Sequence, residues 1–100
     1  MWIINKLELN LTYNNKFFGL RILDTQEIEN AYKIIGSNVK RIRKEKGYTQ
    51  LQLSLAMGHN SVSIVSCAEI YRNRHHFNIE HLLKIAKILN VPMSTFFDGV

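Results

Sequence analysis

The stretch GYTQLQLSLAMGHNSVSIVSCAE, residues 47–69, constrains the fold more than any other part of the chain. It begins with Thr49 followed three residues later by Gln52, which is the Thr-x-x-Gln capping box that starts many helices. Gly58 then ends a short helix, because glycine readily adopts the backbone conformation found just beyond a helix terminus. Three apolar residues at helical spacing are expected in the core: Leu53, Ala56 and Met57.

A second short helix is predicted immediately after a tight turn. The side chain of Asn60 or Ser61 can cap its start, and the helical pattern runs to about Ile70. At about 100° per residue, placing Val65 and Ala68 inward turns three small side chains to the opposite, outward face. Those residues are Ser63, Ser66 and Cys67.

Helical patterns also flank this pair of helices. Asp24 and Glu27 resemble a capping box, and a helix is predicted from there with an interruption at Gly36-Ser37. Its apolar stripe is Ile28, Ala31, Tyr32, Ile35, Val39 and Ile42. Asn78 is expected to cap a later helix with the stripe Ile79, Leu82, Leu83, Ala86 and Leu89, and Pro92 opens a last short turn.

The first 23 residues alternate instead. A two-residue turn at Asn14-Asn15 places six apolar side chains on one face of a β-hairpin, with Glu8 opposite Arg21 on the other face. An isolated hairpin is marginal in water, so its apolar face is expected to pack on the helical body or on a second chain. The alternative is a loosely ordered extension with no role in the activity. The predicted organisation is a β-hairpin extension, residues 1–23, followed by a helical domain, residues 24–100.

The charge of the chain favours a polyanionic partner. The formal net charge is +5, and residues 37–100 contain nine Lys or Arg against four acidic residues. Phosphates attract such a surface and release counterions on contact, although many basic faces are only solvated.

Three motifs resemble the phage-repressor-like (XRE) helix-turn-helix family. They are SNVKRIRKEKGYTQLQLSLAMG, the later Glu69, and HLLKIAKILNVPMSTFF, which together cover about residues 34–97. The resemblance implies a mainly α fold, a five-helix lambda-repressor-like domain that binds double-stranded DNA. It also implies that Gln50 contacts a DNA phosphate and that Arg43 and Glu69 form a structural ion pair. The segment after Gly58 is slightly longer than in the family's pattern, so the family's base-contacting positions are not assigned to particular residues of this chain.

The remaining candidates come from position and chemistry. Asn60 and Ser61 at a helix N-terminus can bond to bases or phosphates, and the outward serines can bond to any base edge but discriminate weakly. Arg72 and Arg74 follow the second short helix, which is the one expected to read the DNA bases. They are expected to contact phosphates or the minor groove, with a solvated loop as the alternative. The predicted DNA-binding residues are Gln50, Asn60, Ser61, Ser63, Ser66, Cys67, Arg72 and Arg74.

The leading functional prediction is a transcriptional regulator, a repressor that binds an inverted repeat as a homodimer. The Phe96-Phe97 end or the hairpin is expected to supply the dimer interface. The same domain serves antitoxins and controllers of restriction–modification operons, so a cognate toxin is an open alternative partner. A second class is an antitoxin-like or structural protein-interaction module that keeps the fold without reading bases, which the uncharged outward face favours.

Other functional classes are not expected. No apolar run approaches the length of a membrane span and no secretory signal begins the chain, which predicts a cytoplasmic protein. A single cysteine cannot form an internal disulfide, and the histidines have no zinc-binding spacing. Cys67 is interpreted as a small packing residue, with a thiol switch as the alternative. No cofactor and no catalytic constellation are predicted.

Overall fold

The computed structural model describes residues 7–100, with side chains described from residue 25 onward. Its α-helices are α1 (Leu7–Glu45), α2 (Gln50–Ala56), α3 (Ser63–Glu69) and α4 (Ile79–Leu89). Short 3₁₀ segments span Arg72–Arg74 and Met93–Phe97. The described residues therefore form four α-helices and no strand, rather than the predicted five helices and a hairpin.

The predicted hairpin is wrong from residue 7 onward, because that part of the chain is the beginning of α1. Extending an existing helix adds one hydrogen bond per residue without a nucleation cost, whereas a lone hairpin needs a packing partner. The expected pairing of Glu8 with Arg21 involves side chains outside the described set. The helix also does not begin at Asp24, and it crosses the expected boundary between residues 23 and 24 without a break.

The predicted interruption at Gly36-Ser37 is also wrong, and Gly36 has a different role. It is buried inside α1, where α3 ends against it. A Cβ at Gly36 would lie 2.5 Å from the carbonyl oxygen of Ala68 and 2.8 Å from that of Glu69. Glycine is therefore required for the close approach of two helices and not for a change in chain direction.

The core lies where α1, α2, α3 and α4 meet, and the 3₁₀ segment Met93–Phe97 packs against α1 and α4. Its fully buried apolar side chains include Val39, Leu53, Val65, Leu82, Ile85, Leu89 and Phe96. Several residues predicted to be buried are instead exposed: Ile28, Ala56, Ile79 and Leu83. On α4, Leu83 follows the buried Leu82 by about 100° of rotation, so a stripe centred near Leu82 and Ile85 leaves it at the edge.

The last segment of the chain is fastened to α1 by Asn38. Its Nδ2 atom donates to the carbonyl oxygens of Phe96, at 2.9 Å, and Asp98, at 2.8 Å. Asn90 ends α4 in the left-handed conformation (φ 58°), which turns the chain back toward α1. Phe96 is thereby placed in the core at 0% exposure.

Candidate nucleic-acid interface

The start of α2 is fixed by the predicted capping box. Thr49 Oγ1 accepts from the backbone N–H of Gln52 at 3.0 Å, and Gln52 Oε1 accepts from the backbone N–H of Thr49 at 2.9 Å. These two bonds satisfy backbone donors that the first helical turn would otherwise leave unpaired. Gln50 becomes the first residue of α2 as a result.

The turn between α2 and α3 is held by Ser54, which sequence reasoning missed. Ser54 is 0% exposed, and its hydroxyl donates to the carbonyl oxygen of Ser61 at 2.6 Å. Gly58 has φ 98°, a left-handed conformation that suits glycine. The signal in the sequence is a serine among the apolar residues of a short helix, because a hydroxyl that becomes buried there needs a hydrogen-bond partner.

Helix α3 begins later than predicted, at Ser63, and the N-cap position belongs to Val62. Within the described part of the chain no side chain caps this helix, so the predicted capping by Asn60 or Ser61 is wrong. Ser61 is occupied in the turn, where its carbonyl accepts from Ser54 and its Oγ lies 3.0 Å from the Oγ of Ser63. Asn60 and Ser61 are exposed in the turn that precedes α3.

The two faces of α3 differ in burial. Val65 (0% exposed) and Ala68 (2% exposed) point into the core. On the other face Ser63 is exposed, and Ser66 and Cys67 are partly exposed. The hydroxyl of Ser66 lies 3.4 Å from the carbonyl oxygen of Ser63 and is positioned to donate to it. The outward face is therefore small, polar and uncharged.

A buried cluster joins the end of α3 to α1 and α2. Arg43 Nε donates to Glu69 Oε2 at 2.6 Å, and Arg43 Nη2 donates to Glu69 Oε1 at 3.1 Å. Gln50 Nε2 donates to the same Oε1 atom at 2.8 Å. The side chains of Arg43 and Glu69 are 6% and 0% exposed. Arg43 Nη1 also donates to the carbonyl oxygen of Tyr48 at 2.8 Å, in the loop that leads into α2.

This cluster joins α3 to α1 and α2 and restricts how α3 can move. A carboxylate buried in an apolar interior is costly unless it is fully hydrogen-bonded, and here it accepts three N–H donors from two other elements. A rotation or shift of α3 would break the bidentate contact with Arg43. The outward face of α3 is accordingly presented at one angle to α1 and α2.

The loop after α3 bends back onto α1. Tyr71, Asn73 and Arg74 have φ values of 56°, 52° and 67°, a left-handed conformation that non-glycine residues seldom adopt. Arg74 Nη1 lies 3.3 Å from Glu29 Oε2 on α1. Arg72 is exposed at the start of the 3₁₀ segment. One of the two predicted phosphate contacts is thus already paired with an acidic side chain.

The sequence-predicted candidates fall into three places. Ser61, Ser63 and Ser66 come together through hydroxyl contacts at the start of α3. Gln50 is brought to the other end of α3 through Glu69, and the loop that contains Arg72 and Arg74, called the arginine loop below, lies beyond that end.

A family model described as "Helix-turn-helix" matches residues 39–96. The chain belongs to this helix-turn-helix family. The match includes α2, α3, the arginine loop and α4, and the resemblance recognised in the sequence is confirmed. It excludes residues 1–38, which contain most of α1.

A curated relative of this helix-turn-helix chain is similar over a longer stretch. It is the HTH-type transcriptional regulator SutR of Escherichia coli (strain K12), which is 35% identical over 71 residues. The alignment covers 71% of this chain but only 38% of that protein. No solved structure matches the chain.

The part of the chain that the structure describes lacks two further kinds of feature. No helix there combines the length and the apolar character needed to cross a membrane. Within the same residues, His, Cys, Asp and Glu side chains do not converge in a group of three or more suited to a metal ion.

Proposed function

We propose that this chain is a DNA-binding transcriptional regulator that inserts α3 into the major groove of duplex DNA. The observation that carries the proposal is the outward face of α3, which is held in a fixed orientation by the buried Arg43–Glu69–Gln50 cluster. A reader helix must be exposed on one side and rigidly anchored on the other, and α3 meets both requirements.

The chemistry of this face favours affinity from the DNA backbone over strong base reading. Ser63 and Ser66 offer hydroxyls, which can donate to or accept from any base, and Cys67 offers a small, weakly polar thiol. Gln50 uses one amide N–H on Glu69 and has a second N–H for a phosphate oxygen. Arg72 and the turn residues Asn60 and Ser61 add further exposed polar groups on the flanks of α3.

The proposed regulator is a repressor that binds an inverted repeat as a homodimer. Helix α3 has seven residues, a length of about 10 Å, and a helix this short covers only about three base pairs. Two copies related by a two-fold axis double the site and supply the selectivity that serine hydroxyls lack. The exposed Phe97 near the end of the chain is a candidate for the contact between copies.

The test is selection of bound fragments from the host genome, followed by binding measurements at several salt concentrations. A regulator should enrich an inverted repeat and lose affinity steeply as the salt concentration rises. Binding of the protein releases cations from the DNA phosphates, and added salt opposes this release. Ser63→Ala and Ser66→Ala should change the preference among sequences, whereas Arg72→Ala should weaken all duplexes about equally. Unchanged selectivity in both serine variants would remove these residues from the reader.

The second candidate is an antitoxin-like or structural protein-interaction module with the same fold. The absence of charge on the outward face of the described α3 favours it, because base-reading helices usually carry Arg, Gln or Asn. The two candidates differ in binding to random duplex DNA at low salt. A regulator binds such DNA weakly through its basic surface, and a complete lack of binding would leave the interaction module.

A further inference from the structure

A cavity of about 390 Å³, open to solvent and lined by exposed and half-buried residues, lies between α1 and the loop that follows α3. This volume falls within the range of about 300–1,000 Å³ that small-molecule sites occupy. The cavity is separate from the outward face of α3. Its lining residues are Thr25, Ile28, Glu29 and Tyr32 from α1, and Tyr71, Arg74 and His76 from the loop.

Aromatic rings form one wall of this cavity. The rings of Tyr32 and His76 are stacked at 3.8 Å between centroids with an interplanar angle of 16°. The ring of Tyr71 lies 5.9 Å from that of Tyr32 and is tilted by only 22°. Exposed Ile28 adds an apolar contact at the rim. His76 covers one face of the Tyr32 ring, so a planar molecule would stack on the opposite face of that ring and on the Tyr71 ring.

The charges around the cavity favour an anion. Arg74 donates to Glu29 through Nη1 at 3.3 Å, but its side chain is 74% exposed, so several of its five N–H groups face solvent. Lys33 Nζ lies 5.9 Å from the centre of the Tyr71 ring. Among the lining residues one cation, Arg74, thus accompanies one carboxylate, Glu29, and Lys33 beside the Tyr71 ring adds a second cation outside the lining. The guanidinium geometry matches a second carboxylate in a bidentate contact.

We infer that this cavity binds a small planar aromatic monocarboxylate, with the carboxylate on Arg74 and the ring against the wall of Tyr32 and Tyr71. This inference goes beyond DNA binding and does not depend on it. The left-handed backbone at Tyr71 and Arg74 supports it, because such a conformation persists only where the surroundings hold it and it often marks a ligand site. The ligand and Glu29 share the same guanidinium and repel each other.

The first experiment uses the DNA-free chain and benzoate as the probe. Amide signals of Tyr71, Arg74 and His76 in the ¹⁵N-labelled protein should shift together, with a dissociation constant below about 1 mM. Cyclohexanecarboxylate keeps the charge without the planar ring, and benzyl alcohol keeps the ring without the charge. Each should bind at least about tenfold more weakly than benzoate. No shift with benzoate, or equal binding of either comparator, overturns the inference.

The second experiment separates the charge contributions. Arg74→Gln should weaken benzoate binding by about tenfold or more, and Lys87→Gln is the control with the same loss of charge at an exposed site on α4, which does not line the cavity. Glu29→Gln should strengthen binding, because it removes the competing carboxylate. Equal affinity of the Arg74→Gln and Lys87→Gln variants, or weaker binding by Glu29→Gln, contradicts the assignment.

The aromatic wall has its own test. Tyr32→Leu should weaken benzoate binding, while Tyr32→Phe retains the ring and should bind as the unchanged chain does. The amide spectrum reports whether each variant is folded, and the exposed Arg74 substitution keeps the inference testable if Tyr32→Leu does not fold. Equal binding by folded Tyr32→Leu and Tyr32→Phe variants would exclude stacking on this ring.

Discussion

Replacing Glu69 by Gln removes one charge from the buried cluster without changing the size of the side chain. The carboxylate accepts from Arg43 at 2.6 and 3.1 Å and from Gln50 at 2.8 Å. An amide has only one acceptor oxygen, so its NH₂ group must face a guanidinium or amide donor. Arg43, whose side chain is 6% exposed, would then be a buried cation without a counterion.

Loss of one partner from a buried ion pair costs about 3–5 kcal/mol, and we expect Glu69→Gln to reduce the free energy of unfolding by that amount. For a domain of this size, 1 kcal/mol lowers the melting temperature by about 4–8 °C, so the expected decrease is roughly 12 °C or more. Exposed ion pairs contribute far less, because water already solvates both charges.

The assay is urea denaturation, with Glu45→Gln as the matched control. Glu45 pairs with Arg41 at 3.5 Å on the surface of α1, where both side chains are at least half exposed, so the control should lose about 0.5 kcal/mol or less. The double variant Arg43→Met/Glu69→Leu should be more stable than Glu69→Gln, because it leaves no unpaired charge. Similar losses for Glu69→Gln and Glu45→Gln would refute the account of this cluster.

Three further substitutions have defined outcomes. Gly36→Ala should destabilise the fold by about 1–3 kcal/mol despite the better helix propensity of alanine, because the new Cβ meets backbone oxygens at 2.5 and 2.8 Å; urea denaturation of Gly36→Ala and of the exposed neighbour Ser37→Ala measures this. Ser54→Ala should cost about 1 kcal/mol in the same assay through the lost bond to the carbonyl of Ser61, and no change would show that water replaces it. Burial and the nearby His59 lower the pKa of His81 below its ordinary value of 6.5. As the pH drops below 6.5, His81 is therefore protonated in the unfolded chain before it is protonated in the folded one, and the free energy of unfolding should fall. Thermal unfolding at several pH values should show a smaller loss for His81→Gln, which keeps a side-chain acceptor for the backbone N–H of Asn78.

Local signals in the sequence predicted the helix starts that depend on neighbouring residues. The capping box of Thr49 and Gln52 and the cap at Asn78 involve groups three residues apart, so the pattern contains both partners. The inward position of Val65 and Ala68 likewise follows from helical geometry alone. For such features the chain needs no tertiary partner to specify the local structure.

The wrong predictions concern features that depend on contacts or chain continuity outside the local pattern, and they include the capping box expected at Asp24 and Glu27, through which α1 continues. Gly36 appeared to be a helix breaker because glycine weakens helices, but its role depends on the carbonyl oxygens of Ala68 and Glu69, more than thirty residues away. The start of α3 was misplaced because Ser61 is engaged by Ser54 across the turn. In the segment before residue 24, alternation favoured a hairpin, while continuity with a stable helix gave α1.

The candidate site residues differ in position: some are exposed where they could contact DNA, and others are buried where they hold α3. This difference decides for which variants a change in DNA binding can be attributed to a lost contact with DNA. Ser63 is exposed, and among the described side chains its hydroxyl contacts that of the neighbouring Ser61, so its substitution should change DNA preference with little effect on stability. The side chain of Glu69 is fully buried at the end of α3, so a change in DNA binding by Glu69→Gln combines the effect of lost stability with that of any change in the orientation of α3. Binding by that variant must therefore be compared at a temperature where it is fully folded. Under those conditions an undiminished affinity would mean that the orientation of α3 is set by the apolar packing of Val65 and Ala68, and not by the ion pair.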